Sequence, residues 1–123
     1  MQAIVNRYIQ AFEQSDINLI REIYAEDAIV EDPVGSVPIK GMDAILEFYQ
    51  KGLASGVKLS LTQDIRVAGN SVAFAFEAKM PDLVISPIDV FEVNAQGKVQ
   101  SMKAYWSESN IKPIAWGIST AGR

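Results

Sequence analysis

The sequence contains no histidine and no cysteine. Nucleophilic chemistry of the Ser–His–Asp or Cys–His kind is therefore excluded, and so are His/Cys zinc sites. Neither a GxxxxGK[ST] nor a GxGxxG spacing occurs. Proton chemistry must then fall to Asp, Glu, Tyr or Lys. Such a group works near neutrality only where burial shifts its pKa. Three residues have the neighbours for it. Asp89 lies inside VISPIDVFEV, residues 84–93. Side-chain alternation puts it on one face with Ile85, Pro87, Phe91 and Val93. The other face, with Val84, Ser86, Ile88, Val90 and Glu92, is also largely apolar, so neither offers an obvious route to water. Asp32 lies in IVEDPVG. Pro33 disfavours helix for the residue before it and holds Asp32 extended. Asp32 then points with Ala28 and Val30, and Glu31 points outward. Tyr8 sits on the apolar stripe of the first helical segment.

Each of these residues has an ordinary structural reading beside the chemical one. Asp32–Pro33 is a common turn opening. Tyr8, and equally Tyr24 and Tyr49, reads singly as a core aromatic whose hydroxyl finds any partner. Asp89 reads either as part of a buried ion pair, as a cap of backbone donors, or as an acid that keeps its proton. A buried carboxylate without a partner shifts its pKa and stays neutral. Trp106 alternates with Tyr105 in KAYWSE, and one of the two must face inward. Met80 and Met102 suit a core or an adaptable apolar pocket. Together, two acids and a tyrosine in apolar settings point to one reaction class. A carboxylate takes a proton next to a carbonyl, and groups with their own protons stabilise the enolate oxygen. A protonated Asp89 would be such a donor.

The elements that must position these groups follow from periodicity. Ile4, Val5, Tyr8, Ile9 and Phe12 predict a helix over 3–13. Ser15 and Asp16 cap a second short helix reaching about Tyr24. AIVEDPVG, 28–35, reads as extended, and KGMDAILEFYQKGL, 40–53, as a third helix with Ile45, Tyr49 and Leu53 on one face. After Gly56 come four strand-like runs: VKLSLTQDIRVA, SVAFAFEAKM, LVISPIDVFEV and KVQSMKAYWSES. The short turn-formers between them predict an antiparallel meander. Helices first and strands after predict an α+β fold, with the helices packed on one face of a curved sheet. The tail NIKPIAWGISTAGR follows no clear pattern, but Trp116 and Ile118 predict that it packs on something.

A chain of 123 residues with 49% apolar and 21% charged residues is globular and long enough for one domain. A net charge of −4 without a basic run argues against nucleic acid and anionic membrane surfaces. No apolar run approaches a membrane span, and MQAIVNRYIQAFEQ lacks a signal peptide's basic start. The lack of cysteine fits an intracellular, cytoplasmic protein.

Read in order, several segments resemble the bacterial steroid Δ5-3-ketoisomerases, the ketosteroid isomerases of the nuclear-transport-factor-2-like, SnoaL-like superfamily. NRYIQAF resembles the helix bearing that family's catalytic tyrosine, which puts the role on Tyr8. YAEDAIVEDPVGS resembles the segment bearing its proton-shuttling base, at Asp32. PIDVFEV resembles the strand bearing its second acid, at Asp89. EFYQKGL and SMKAYWSE resemble its third helix and last strand. A tyrosine and a protonated Asp forming an oxyanion hole, with another Asp as base, is this family's known arrangement, and the resemblance alone carries it here. The resemblance implies a conical α+β fold of three helices on a curved, mainly antiparallel sheet around an apolar pocket. It spans roughly residues 1–111 of a single domain over 1–123, leaving the role of 111–123 open. It implies isomerisation of a 3-oxo-Δ5-steroid to the Δ4 enone by a homodimer without metal or organic cofactor. Tyr24 and Tyr49 match tyrosines that hydrogen-bond with the catalytic one, and Trp106 matches an aromatic position near the base. Phe74, Phe76, Met80, Phe91 and Met102 are the expected apolar lining. Two rivals share the fold: an enzyme acting on another carbonyl substrate, such as a polyketide cyclase, and a non-catalytic carrier of an apolar ligand.

Overall fold

The computed structural model describes residues 1–114; Trp116 and Ile118 lie outside them. The chain opens with helices α1 (Gln2–Gln14) and α2 (Ile17–Ile23). Val5, Tyr8, Ala11 and Phe12 form the buried stripe of α1, and Asp16 caps α2 by accepting from the Asn18 N–H at 2.9 Å. Strand β1 (Tyr24–Glu31) follows without a loop, then the short β2 (Ile39–Lys40) and helix α3 (Met42–Ala54). The third helix therefore begins at Met42 rather than Lys40. Lys40 instead pairs with Ile29 of β1, and Gly41, at φ 87°, makes the turn between them. Ile45, Tyr49 and Leu53 are buried as their spacing predicts.

The rest of the chain is sheet: β3 (Lys58–Leu61), β4 (Arg66–Ala68), β5 (Ser71–Lys79), β6 (Leu83–Ile85), β7 (Ile88–Val93), β8 (Val99–Tyr105) and β9 (Ile111–Pro113). Two of the four predicted runs are broken in the middle. VKLSLTQDIRVA divides into β3 and β4, and LVISPIDVFEV divides into β6 and β7 at Ser86–Pro87. A proline has no N–H for a sheet ladder. β5 is the spine: β3 and β4 pair along one edge, β6 and β7 along the other. Both neighbours are interrupted at the same level of β5, so the sheet bends there and wraps toward the helices. The sheet is mixed and mostly antiparallel. Its exception is β1, which runs parallel to β8. Part of the unassigned tail finds a place as β9, which pairs with β6.

The core lies between α1, α2, α3 and the inner face of the sheet. β5 shows the alternation plainly: Val72, Phe74, Phe76 and Ala78 are buried, and the residues between them are less so. On β7 the outer face differs from the expectation of two apolar faces. Ile88 is 47% exposed and Glu92 is exposed. Asp89 is thus buried from the helix side alone.

Candidate active site

Three elements bring the predicted groups to one cavity. Tyr8 comes from the middle of α1, Asp89 from the middle of β7, and Asp32 from the residue just past the end of β1. All three line a cavity of about 410 Å³, a size ordinary for a small-molecule site. Tyr49, Phe76, Met80 and Trp106 also line it.

Asp89 owes its state to register. It lies opposite Phe74 of β5 and Ala104 of β8, and neither side chain has a donor to give. The carboxyl group is 1% exposed, and neither oxygen has a hydrogen-bond partner among the described residues. Burial pushes its pKa well above the carboxylate range, and the negative charge of nearby Asp32 adds to the shift. Burial thus favours the protonated form, and the carboxyl lines the cavity with both oxygens unpartnered among the described residues.

Asp32 is different. Parallel pairing of β1 with β8 brings the ends of both strands together, so Trp106, just past β8, meets Asp32, just past β1. The indole Nε1–H donates to Asp32 Oδ1 at 2.7 Å. Partial burial raises the Asp32 pKa, and the indole bond pulls it back. Oδ2 takes no hydrogen bond from the described residues and is left for a ligand.

Tyr8 is held in an aromatic cage. Its ring meets Phe12 and Phe91 edge-on at 5.3 Å between centroids, and Phe74 and Tyr49 at 5.8 Å. Its hydroxyl donates to the Tyr49 hydroxyl at 3.3 Å, which lies 2.6 Å from that of Tyr24. Hydroxyl protons rotate to suit. When the Tyr8 proton turns to an anionic ligand, Tyr49 donates to Tyr8 and Tyr24 to Tyr49. In that direction the Tyr49 bond lowers the Tyr8 pKa, which burial otherwise raises well above the ordinary value.

The predicted residues therefore divide. Tyr24 is buried behind the wall, in contact with Tyr49. Phe74, Phe91 and Met102, expected in the lining, are 1%, 0% and 0% exposed and lie off the wall. Phe74 and Phe91 instead support the Tyr8 ring from below, and Met102 lies beside Phe91 on β8. Sequence reasoning missed several wall residues. Phe12 was visible one helical turn after Tyr8. Leu59 faces inward by alternation from Val57, on the edge strand that packs against α1. Gly52 of α3 faces Phe12 of α1, and a Cβ there would make an ordinary contact, 3.8 Å from Phe12 Cε2. Lys51 gave no signal, because a helix-end lysine ordinarily faces solvent. Among the described residues there is no His, Cys, Asp or Glu cluster suited to a metal, and no helix is long and apolar enough to cross a membrane.

The chain as a whole is similar to known proteins. The SnoaL-like domain family matches residues 5–102. A steroid Delta-isomerase of Nocardioides simplex is 35% identical over 116 residues, covering 90% of this chain and 93% of that protein. The solved structure of SalBIII, an epoxide hydrolase/cyclase-like enzyme in pyran ring formation of the polyether salinomycin, superposes with a TM-score of 0.86 at 28% identity. That match covers 92% of this chain and 95% of SalBIII.

Proposed function

The chain belongs to the SnoaL-like family and is an isomerase, and on that premise we propose its reaction: conversion of 3-oxo-Δ5-steroids to 3-oxo-Δ4-steroids. The observation that carries the proposal is Asp89, a buried carboxyl without a hydrogen-bond partner among the described residues that shares a cavity with a second, partly exposed acid and a tyrosine hydroxyl. Asp32 Oδ2 takes a proton from C4. The C4 electron pair delocalises through the carbonyl, and the dienolate oxygen accepts hydrogen bonds from Tyr8 and Asp89. Asp32 then returns the same proton to C6, and the double bond moves from C5–C6 to C4–C5. The indole of Trp106 holds Asp32 by its other oxygen, so the carboxylate can swing between the two carbons without leaving the substrate. The apolar wall excludes water and keeps the hydrogen bonds to the dienolate strong.

A homodimer is part of the same reading. Its support is an apolar pair on the outer sheet face, Ile88 opposite Tyr105, 47% and 49% exposed. A cytoplasmic, single-domain enzyme acting without metal or organic cofactor completes it.

A second reading, cyclisation of a polyether or polyketide precursor, is favoured by the SalBIII likeness. A cyclase would use the same two acids on an epoxide or an unrelated ketone. The test is the ultraviolet absorption of the conjugated enone when purified protein meets a 3-oxo-Δ5-steroid. Turnover that vanishes in Asp32→Asn supports the isomerase. Tight steroid binding without turnover, in the unaltered protein, contradicts it.

A further inference from the structure

The cavity has a buried end and an open end, and they differ in charge. Asp89 and Tyr8, 1% and 3% exposed, form the buried end. Lys51 also lines the cavity but is itself exposed, so it belongs to the mouth. It is the one cationic side chain on the wall. A lysine in the last turn of a helix is ordinarily explained by the helix dipole. A solvent-facing one would also pair with an acid one turn earlier, and Glu47 stands at that position. Yet among the described residues the Lys51 ammonium has no ion pair and no hydrogen bond; the pair between Arg7 and Glu22 is the only salt bridge.

A second observation lies on the strands around the mouth. Leu59, Ala78 and Ile85, aligned across β3, β5 and β6, face the cavity. One step along the same strands, Lys58, Lys79, Val84 and Lys112 are aligned across β3, β5, β6 and β9. Three exposed lysines thus stand in one cross-strand row on the outer face, in a chain of net charge −4. Adjacent like charges at Lys58 and Lys79 are destabilising in a sheet. Glu77, two residues along β5 on that face, makes no ion pair with them. A positive patch on the outer face of the strands that line an apolar cavity raises the local concentration of anions.

Resting on the isomerase reading of this cavity, we propose that its substrate is an amphipathic ring ketone carrying a carboxylate at the end remote from the reacting carbonyl. The ketone reaches Tyr8 and Asp89, the apolar rings fill the cavity, and the carboxylate stops at the mouth against Lys51. Lys58, Lys79 and Lys112 speed its approach.

Two ligands test this: a planar phenolic steroid with a carboxylate opposite its phenol, and the methyl ester of the same compound. The unaltered protein should bind the acid roughly five-fold more tightly than the ester, the upper end for one partly exposed ion pair. Lys51→Gln should level the two, and Lys51→Glu should invert the order. Replacing Lys58, Lys79 and Lys112 together by Gln should slow association of the acid and flatten its salt dependence, leaving dissociation unaltered. An acid-to-ester ratio that stays the same from the unaltered protein through Lys51→Gln to Lys51→Glu overturns the inference, as does failure of both ligands to bind. Turnover of a neutral Δ5-ketone is measured alongside. Turnover with no preference for the acid sinks the carboxylate alone; an acid preference without turnover of any Δ5-ketone keeps the anion site and sinks the isomerase.

Discussion

The two acids of the cavity share a residue type and differ in everything around them. Asp89 sits mid-strand between Phe74 and Ala104, with both neighbouring strands in register. Asp32 sits one residue past a strand end, half-buried, where an indole N–H reaches it. The middle of a strand offers a side chain only its lateral neighbours, and here those are apolar. A strand end opens to loops, partners and ligand. The difference suits the two roles proposed here on one sheet: an acid that holds its proton and an acid that exchanges one. The general point is that position along a strand, rather than residue type, sets how strongly burial raises a carboxyl group's pKa.

The contrast can be broken most severely at Asp32. Asp32→Asn removes the base and should lower turnover of a 3-oxo-Δ5-steroid by about 10⁴-fold, the top of the range for a positioned general base. Binding of a planar phenolic steroid should change only a few-fold, as equilibrium titration would read. Joint loss of binding and turnover would make Asp32 a structural residue.

Next come the two donors. Asp89→Leu and Tyr8→Phe should each slow the reaction by roughly 10²–10³, the range for losing one oxyanion-hole donor, with Tyr8→Phe at least as damaging. A steady-state rate within a few-fold of the parent would remove that residue from the site. The aromatic cage keeps the ring of Tyr8→Phe in place, so its loss reads the hydroxyl alone.

A smaller effect sharpens the comparison from the Asp32 side. If Asp32 is the base, turnover requires its ionised form, so kcat/KM should rise with pH through its raised pKa and then level. The indole bond lowers that pKa, so Trp106→Phe should move the acidic limb to higher pH. A pH–rate profile with an unmoved limb would contradict the role given to the indole.

Last is stability. The folded-state pKa of Asp89 is raised, so its burial is least costly below the unfolded carboxylate pKa, where both states are protonated. As pH rises from there toward the folded pKa, the unfolded state ionises and stability is lost. Asp89→Leu should therefore stabilise the fold by about 1–2 kcal/mol near neutrality, since it removes an unsatisfied buried polar group. The gain should shrink toward acid pH in urea titrations. A loss of stability at neutral pH would mean that Asp89 has a buried partner.

Much of this was legible in the sequence, for identifiable reasons. The period of Val5, Tyr8 and Phe12 fixes which way α1 turns, and Pro33 fixes the extended approach to Asp32. The alternation of β7 predicts that Asp89, Phe91 and Val93 share the buried face, as they do. The breaks were harder to see. VKLSLTQDIRVA and LVISPIDVFEV have strand composition throughout, and their interruption follows from their common pairing with β5. That is a non-local cause. The same bend decides which apolar residues line the cavity and which lie beneath it, so Phe76 and Met80 were separable from Phe74, Phe91 and Met102 only in three dimensions. The parallel pairing of β1 and β8, which brings Trp106 to Asp32, leaves no local trace either.

Whether the cavity holds a protonated Asp89 and an ionised Asp32 together is read directly by a ¹³C NMR titration of protein labelled at the aspartate carboxyl carbons. It should show one aspartate carboxyl still protonated at neutral pH, absent from the spectrum of Asp89→Leu, and a second, absent from Asp32→Asn, that ionises at higher pH than an ordinary aspartate. If every aspartate is ionised at neutral pH in the unaltered protein, Asp89 has no proton to donate and the account fails.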